Sequence, residues 1–259
     1  MRPSVVKRKL ARKEPVVGIT LHLTDPSLYE MASLMGFDYI WMDLEHHAYS
    51  VETACNLMRA ARVGTSDIMA RPGKGEFMRL GRLLESGAQG ILYPRCDDAD
   101  EARQVVRWSK FAPLGTRGID GANPDMPYCS MDPAEYIRAA NAETWIVIQI
   151  EDPQALEHAD EIAAVEGVDV VMLGPADYSI LCGVPGQFEH PKVEEALQVV
   201  ARAADRHGKA WGTIATTPER ARQLIERGAL WTTCGCDLIW VKNGLEQAKN
   251  DIARMTGAS

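Results

Sequence analysis

The sequence predicts an α/β fold: a (β/α)8 TIM barrel, one domain over residues 1–259, preceded by a short N-terminal helix. Three observations carry that expectation. Eight short apolar, β-branched runs punctuate the chain, a segment of helical period follows each, and the runs are apolar almost throughout instead of alternating. A strand apolar on both faces belongs in a parallel sheet covered by helices, and eight such units favour a closed barrel over an open doubly wound sheet, which is the alternative. The length permits it, since a chain of this size buries roughly 70–75% of its unfolded surface.

The strands are read at 16–23 (VVGITLHL), 38–46 (DYIWMDLEH), 67–72 (DIMARP), 90–95 (GILYPR), 145–151 (WIVIQIE), 168–175 (VDVVMLGP), 209–216 (KAWGTIAT) and 230–237 (LWTTCGCD). Helices are expected at 26–35, 51–63, 75–86, 98–109, 154–165, 191–207, 218–228 and 243–255. Pro26 after Asp25 and Pro218 after Thr217 are start signals, a capping side chain followed by a residue preset for the first turn. The basic segment from Lys7 to Lys13 reads as a solvated helix ahead of the barrel. Residues 111–133, with four Pro and three Gly, read as an ordered functional loop.

A formal charge of -8 disfavours a nucleic-acid partner, whose affinity needs clustered cations. The basic N-terminus lacks the apolar stretch of a secretory signal and no run is long enough for a membrane span, so a cytoplasmic location is expected. The six cysteines form no CxxC pair and are read as reduced thiols. Neither GxxxxGK nor GxGxxG occurs, and no lysine sits within an apolar strand, which weighs against phosphate cradles, dinucleotide sites and Schiff-base chemistry. Met31, Met35, Met42 and Met172 are read as packing residues.

In such a barrel the reactive groups project from the C-terminal strand ends. The second strand ends in Asp43, Glu45, His46 and His47, the third in Arg71, the fourth in Tyr93 and Arg95, and the fifth in Gln149 and Glu151. The sixth runs into Gly174, Pro175, Ala176 and Asp177. Glu151 closes an apolar run, where an uncompensated carboxylate costs several kcal/mol, so it needs a metal, a cation or a proton. With Asp177 it makes an open site for a hard divalent cation. Equally open is the alternative that Asp177 caps a helix and Glu151 pairs with Arg71. His46, near Asp43 and Glu45, can serve as a base, and His47 reads as a loop residue. Arg71 can meet a substrate carboxylate or an oxyanion, or simply form a rim salt bridge with Asp43 or Glu45. The GPAD turn offers backbone N–H groups to a carboxylate, or is an ordinary capped turn.

The segments FDYIWMDLEH (37–46), ESGAQGILYPR (85–95), PLGTRG (113–118), IQIED (148–152), EIAAVEGVDVVMLGPADYS (161–179) and GVPGQFEHP (183–191) resemble the HpcH/HpaI aldolase family of class II pyruvate aldolases. The resemblance covers nearly the whole chain. It implies that Glu151 and Asp177 hold magnesium, manganese or cobalt, that a 2-oxo acid binds there with its carboxylate on the N–H groups of Ala176 and Asp177, and that Gln149 lines the site. It further implies that Arg71 stabilises an enolate oxygen and that His46, supported by Asp43, manages protons. An acidic residue from a neighbouring subunit, at the position of Glu85, would support the histidine in a homo-oligomer, expected to be a hexamer. The sequence departs from the family at Leu44, commonly Gly, at Glu85, commonly Asp, at GKGE (73–76), and at Tyr93 with Arg95. Loops facing the aldehyde carry most of these changes.

The implied function is reversible cleavage of 4-hydroxy-2-oxo acids to pyruvate and an aldehyde. Two alternatives are another use of the same enolate, such as oxaloacetate decarboxylation, and a catalytically silent barrel that binds an oxo acid.

Overall fold

The structure is a computed structural model that describes residues 2–256. In chain order the helices and strands are α1 (Val5–Ala11), β1 (Val16–Leu21), α2 (Pro26–Met35), β2 (Tyr39–Asp43), α3 (Val51–Ala60), β3 (Asp67–Arg71), α4 (Phe77–Ser86), β4 (Gly90–Tyr93), α5 (Ala99–Ser109), α6 (Pro133–Glu143), β5 (Trp145–Ile150), α7 (Pro153–Glu157), α8 (Ala159–Ala163), β6 (Val170–Leu173), α9 (Pro175–Leu181), α10 (Pro191–Arg206), β7 (Ala210–Ala215), α11 (Pro218–Glu226), β8 (Trp231–Cys236) and α12 (Asp237–Thr256). The eight strands are parallel and close into a barrel, β8 pairing with β1. This is the expected TIM-barrel architecture. No described helix is long and apolar enough to cross a membrane, and the six cysteines are free thiols.

Local chemistry explains the element boundaries. Asp25, Ser50, Asp98, Asp132, Asp152 and Thr217 each cap a helix through a side-chain oxygen, satisfying donors that have no partner within the helix. The second strand stops at Asp43 and not at His46. The Asp43 carboxylate accepts the N–H of Glu45 at 3.0 Å, which bends the chain out of the sheet. The helix read at 154–165 is two short helices that meet at His158. Within and beyond the Pro/Gly-rich segment, the reading of a loop misses α6, whose signal, Asp132 before Pro133, is of the same type as Asp25–Pro26.

The first helix is not a solvated appendage. Val6 and Ser4 are fully buried, and α1 closes the N-terminal mouth of the barrel. Lys7 pairs with Asp169 and Lys9 with Asp38, both at 2.7 Å. At its start, Val5 and Val6 donate backbone N–H groups to Asp67 at 3.0 and 3.1 Å, the Ser4 hydroxyl donates to the same carboxylate, and Trp145 Nε1 adds a further bond at 3.2 Å.

Two apolar layers surround the sheet. Inside the barrel, Tyr39, Trp41, Met69, Leu92, Trp145, Met172 and Trp231 pack with Val6, and Tyr39 stacks on Trp231 with ring centroids 5.2 Å apart. Gly90 makes room for this cluster, because a Cβ there would lie 2.4 Å from the Trp145 ring. Outside, Ile40, Ile68, Ile91, Ile146, Ile148 and Leu173 meet the helices. Met42 and Met172 are core residues as expected, whereas Met31 and Met35 are 47% and 74% exposed on α2. The interior is therefore sealed by aromatic side chains at the end where the strands begin, which leaves the other end for chemistry.

Candidate functional site

The C-terminal strand ends open into a cavity of about 350 Å³, lined among others by His22, Trp41, Asp43, His46, Arg71, Gln149, Glu151, Ala176 and Asp177. Asp43, His46, Arg71, Gln149, Glu151, Ala176 and Asp177, all expected at the site, line it together, whereas Glu85 and Tyr93 do not.

Asp43 and Arg71 are register partners at the ends of β2 and β3, so their side chains emerge side by side. Arg71 Nε donates to Asp43 Oδ1 at 2.9 Å and Nη2 to Oδ2 at 2.7 Å, a two-pronged pair. The Arg71 Nη1 atom is 3.1 Å from Glu45 Oε2, and the guanidinium lies 4.7 Å from the Trp41 ring centroid. Burial works to raise the Asp43 carboxyl, but the Arg71 hydrogen bond and charge hold it below its ordinary value. Burial likewise opposes the charge on Arg71, which Asp43 and Glu45 nevertheless keep firmly protonated. The salt bridge and the cavity position thus coexist: Arg71 is a fixed, partly desolvated cation facing the open space.

Glu151 is 3% exposed. Its Oε1 accepts the Arg95 N–H at 3.0 Å and its Oε2 accepts Gln149 Nε2 at 2.8 Å. Burial, and then the charge of Asp177, push its carboxyl up to about 8. Gln149 Oε1 is buried with no hydrogen-bond partner, and Gly174 is required where the chain turns past this pair, since a Cβ would lie 2.3 Å from Glu151 Oε2. Asp177 is not a helix cap, because Gly174 holds the N-cap position of α9 and no side chain caps it. Arg95 Nη1 stands 4.0 Å from Asp177 Oδ2 and the Arg71 charge eases Glu151, yet burial and the charge of Asp177 prevail at Glu151. The two carboxylates, beside an unpaired amide oxygen, form a hard oxygen donor set. That set fits a divalent cation which keeps open positions for water or substrate oxygens.

The histidines differ from expectation. The His46 side chain is 57% exposed, with Nε2 3.6 Å from Glu45 Oε2, and only its backbone N–H reaches Asp43, at 3.4 Å. The imidazole nearer Asp43 is that of His47, with Nε2 at 3.9 Å from Oδ2. Burial first, then the proximity of His22, lowers the His47 pKa. His22, just past β1, was not read from the sequence as a site residue. Its ring centroid is 4.4 Å from that of His47, and its Nδ1 is 3.2 Å from Asp237 Oδ1. Reading the ends of β1 and β8 as the other strand ends were read would have found both His22 and Asp237.

Two further residues stand elsewhere. Glu85 lies at the end of α4, which leads into the start of β4, so it is at the opposite end of the barrel from the cavity. Burial raises its carboxyl, opposed by the charge of Arg117. Tyr93 points outward into the helix layer, donating its hydroxyl to Glu101 at 2.6 Å and accepting from Gly75 N–H at 2.9 Å. It does not face the cavity, whereas the backbone of its neighbour Arg95 touches Glu151.

The chain is 32% identical to a 2-keto-3-deoxy-L-rhamnonate aldolase of Escherichia coli, over 93% of this chain and 90% of that protein. It is 33% identical to a hydroxypyruvate/pyruvate aldolase of Delftia acidovorans, over 90% of this chain and 86% of that one. Among solved structures, an HpcH/HpaI aldolase from Desulfitobacterium hafniense superposes with a TM-score of 0.91 at 33% identity, covering 97% of both chains. A family model for HpcH/HpaI aldolase/citrate lyase matches residues 17–243. With the barrel and its carboxylate-lined cavity, that match places the chain in the HpcH/HpaI aldolase/citrate lyase family, to which it belongs.

Proposed function

We propose that this protein is a divalent-metal-dependent aldolase that reversibly cleaves 4-hydroxy-2-oxo acids to pyruvate and an aldehyde. The observation that carries the reading is the carboxylate pair Glu151 and Asp177, at which burial and repulsion outweigh the nearby cations on Glu151, in one cavity with the fixed cation Arg71. Relatives named as aldolases acting on pyruvate-type acids support it.

Glu151 and Asp177 would hold magnesium, manganese or cobalt, which when bound supplies Lewis acidity to the 2-oxo group. The N–H groups of Ala176 and Asp177 receive the substrate carboxylate, and Gln149 lines the same end of the site, its Nε2 donating to Glu151 Oε2 and its Oε1 left as an acceptor. When the bond between C3 and C4 breaks, its electron pair passes to C3 and is delocalised onto the C2 oxygen as a pyruvate enolate. Arg71 stabilises that charge from a position Asp43 fixes in advance, so the group does not reorganise as the charge develops. His46, on the exposed rim, takes the proton of the C4 hydroxyl as C4 becomes the aldehyde carbonyl.

The assembly belongs to the same reading. Along α12, Leu238, Ile239, Trp240, Val241, Leu245, Ile252 and Met255 are exposed, a set of large apolar side chains on one helix that suits burial in an interface. A homo-hexamer would cover it and bring the Glu85 of a neighbouring subunit toward His46.

The test is pyruvate release from a panel of 4-hydroxy-2-oxo acids with magnesium, manganese or cobalt, together with exchange of pyruvate methyl protons. Metal-dependent exchange and cleavage are expected. Exchange with decarboxylation but no cleavage would assign the enolate another use, and neither activity would overturn the reading.

A further inference from the structure

The cavity rim carries a second cluster of ligating groups, two of which, His22 and His47, the aldolase reading does not use. His22, Asp43 and His47 each offer one ligand atom, all within 4.8 Å of one another. His22 Nδ1 is engaged by Asp237 Oδ1 at 3.2 Å, which leaves its Nε2 lone pair free, the arrangement by which an orienting carboxylate prepares a metal-binding imidazole. Asp237 itself is no ligand. Its two oxygens accept N–H groups of His22, Leu23 and Leu238 at 2.8–3.0 Å, so the rival grouping of His22 with Cys236 and Asp237 lacks a free carboxylate oxygen. Asp43 differs. Its Oδ1 accepts three N–H groups, from Arg71, Glu45 and His46, whereas Oδ2 accepts one, from Arg71 Nη2 at 2.7 Å, and His47 Nε2 faces that oxygen at 3.9 Å.

We propose that His22, His47 and Asp43 form a second metal site, selective for zinc or a similar borderline transition metal and distinct from the carboxylate pair Glu151 and Asp177. Tetrahedral zinc sets its ligand atoms about 3.4 Å apart, so the present spacing closes onto an ion by small side-chain rotations. The fourth position opens to the cavity. The donor chemistry separates the two sites: imidazole nitrogen suits zinc, copper and nickel, while an all-oxygen pair suits magnesium and manganese. Zinc at the rim would draw on the carboxylate that anchors Arg71, so occupancy opposes the chemistry proposed above.

The test titrates zinc into the metal-free full-length protein with magnesium in millimolar excess, reading affinity by competition with a chromophoric chelator. Cobalt(II) absorption serves as a second reading of nitrogen ligation. One equivalent of zinc is expected at micromolar affinity or tighter. His47→Ala and His22→Ala should each weaken it at least about 100-fold and alter the cobalt spectrum, while Asp237→Asn should weaken it about 10–100-fold through the orienting bond. Glu151→Gln should leave it unchanged. Zinc affinity that is unaltered in both histidine variants, or lost in Glu151→Gln, would overturn the proposal. The His47 side chain is 31% exposed on a loop, so its variant remains informative if His22→Ala does not fold. Since no substrate is present, failure here is distinct from failure of the aldolase reading.

Discussion

Asp67 and Glu151 are both buried carboxylates of the barrel, one opening β3 and the other just past β5, and they are held in opposite ways. Burial raises both. At Asp67 every neighbour then counters the effect: the Ser4 hydroxyl, the N–H groups of Val5 and Val6, and the charge of Arg2. At Glu151 the next contribution after burial is the negative charge of Asp177, which adds to the effect. A carboxylate surrounded by donors fixes an element in place, here α1 against the barrel mouth. A carboxylate beside another carboxylate, where the charge of Arg71 does not offset burial and repulsion, leaves room for a further cation. Burial alone therefore does not mark a functional group; the sign of its surroundings does.

The sharpest way to break this contrast is to remove a member of each kind. Glu151→Ala or Asp177→Ala should nearly abolish aldol cleavage, by more than about 10³-fold, without rescue at moderate metal concentration, because each deletes one of two protein ligands. Chelator-treated wild type should lose activity and regain it with magnesium, manganese or cobalt. Next in size is Arg71→Ala, expected to lower cleavage and pyruvate proton exchange by about 10²–10³-fold, with Arg71→Lys restoring little, since an ammonium cannot make the two-pronged contact to Asp43. His46→Ala should slow turnover by about 10²-fold while leaving pyruvate affinity intact. Parental rates across pH in that variant would make His46 a bystander.

A smaller effect follows from the Glu151 carboxyl, pushed up to about 8. A cation binds the deprotonated form, so below pH about 8 a proton competes and metal affinity should fall by about tenfold per pH unit, levelling off above. The stability of the metal-free fold runs the other way. The proton bound at Glu151 favours the folded chain, so that stability is full below the ordinary glutamate range and declines as pH rises to about 8. Calorimetric metal titrations and melting curves from pH 6 to 9, run at matched ionic strength, check both limbs. Smallest of all in activity, and large only in stability, is Asp67→Ala. It strands the donors of Ser4, Val5, Val6 and Trp145 and should cost about 2–4 kcal/mol of folding stability, with kcat little changed.

Much of this was legible in the sequence because barrel strands are apolar on both faces, and a charged residue closing such a run stands out. Asp43, Arg71 and Glu151 were found that way, with Gln149 and Asp177 read beside them, and the structure brings all five to one cavity. What escaped was set by side-chain pairing across distant strands. His22 lies just past β1 in the run TLHL, unremarkable until the end of β8 brings Asp237 to it. The burial of α1 was hidden because its basic residues suggested solvent, while Lys7 and Lys9 reach acidic residues near the barrel mouth. The exchange of partners between His46 and His47 depends on the turn at Asp43, which no spacing rule specifies.

The contrast between the two carboxylates is tested most directly by manganese binding at pH 8, followed by electron paramagnetic resonance, in wild type, Glu151→Gln and Asp67→Asn. Wild type and Asp67→Asn, once shown folded by circular dichroism, should bind the ion alike, and Glu151→Gln should lose it. Binding retained in Glu151→Gln, or lost in folded Asp67→Asn, would contradict the assignment of Glu151 as the carboxylate left open for a cation.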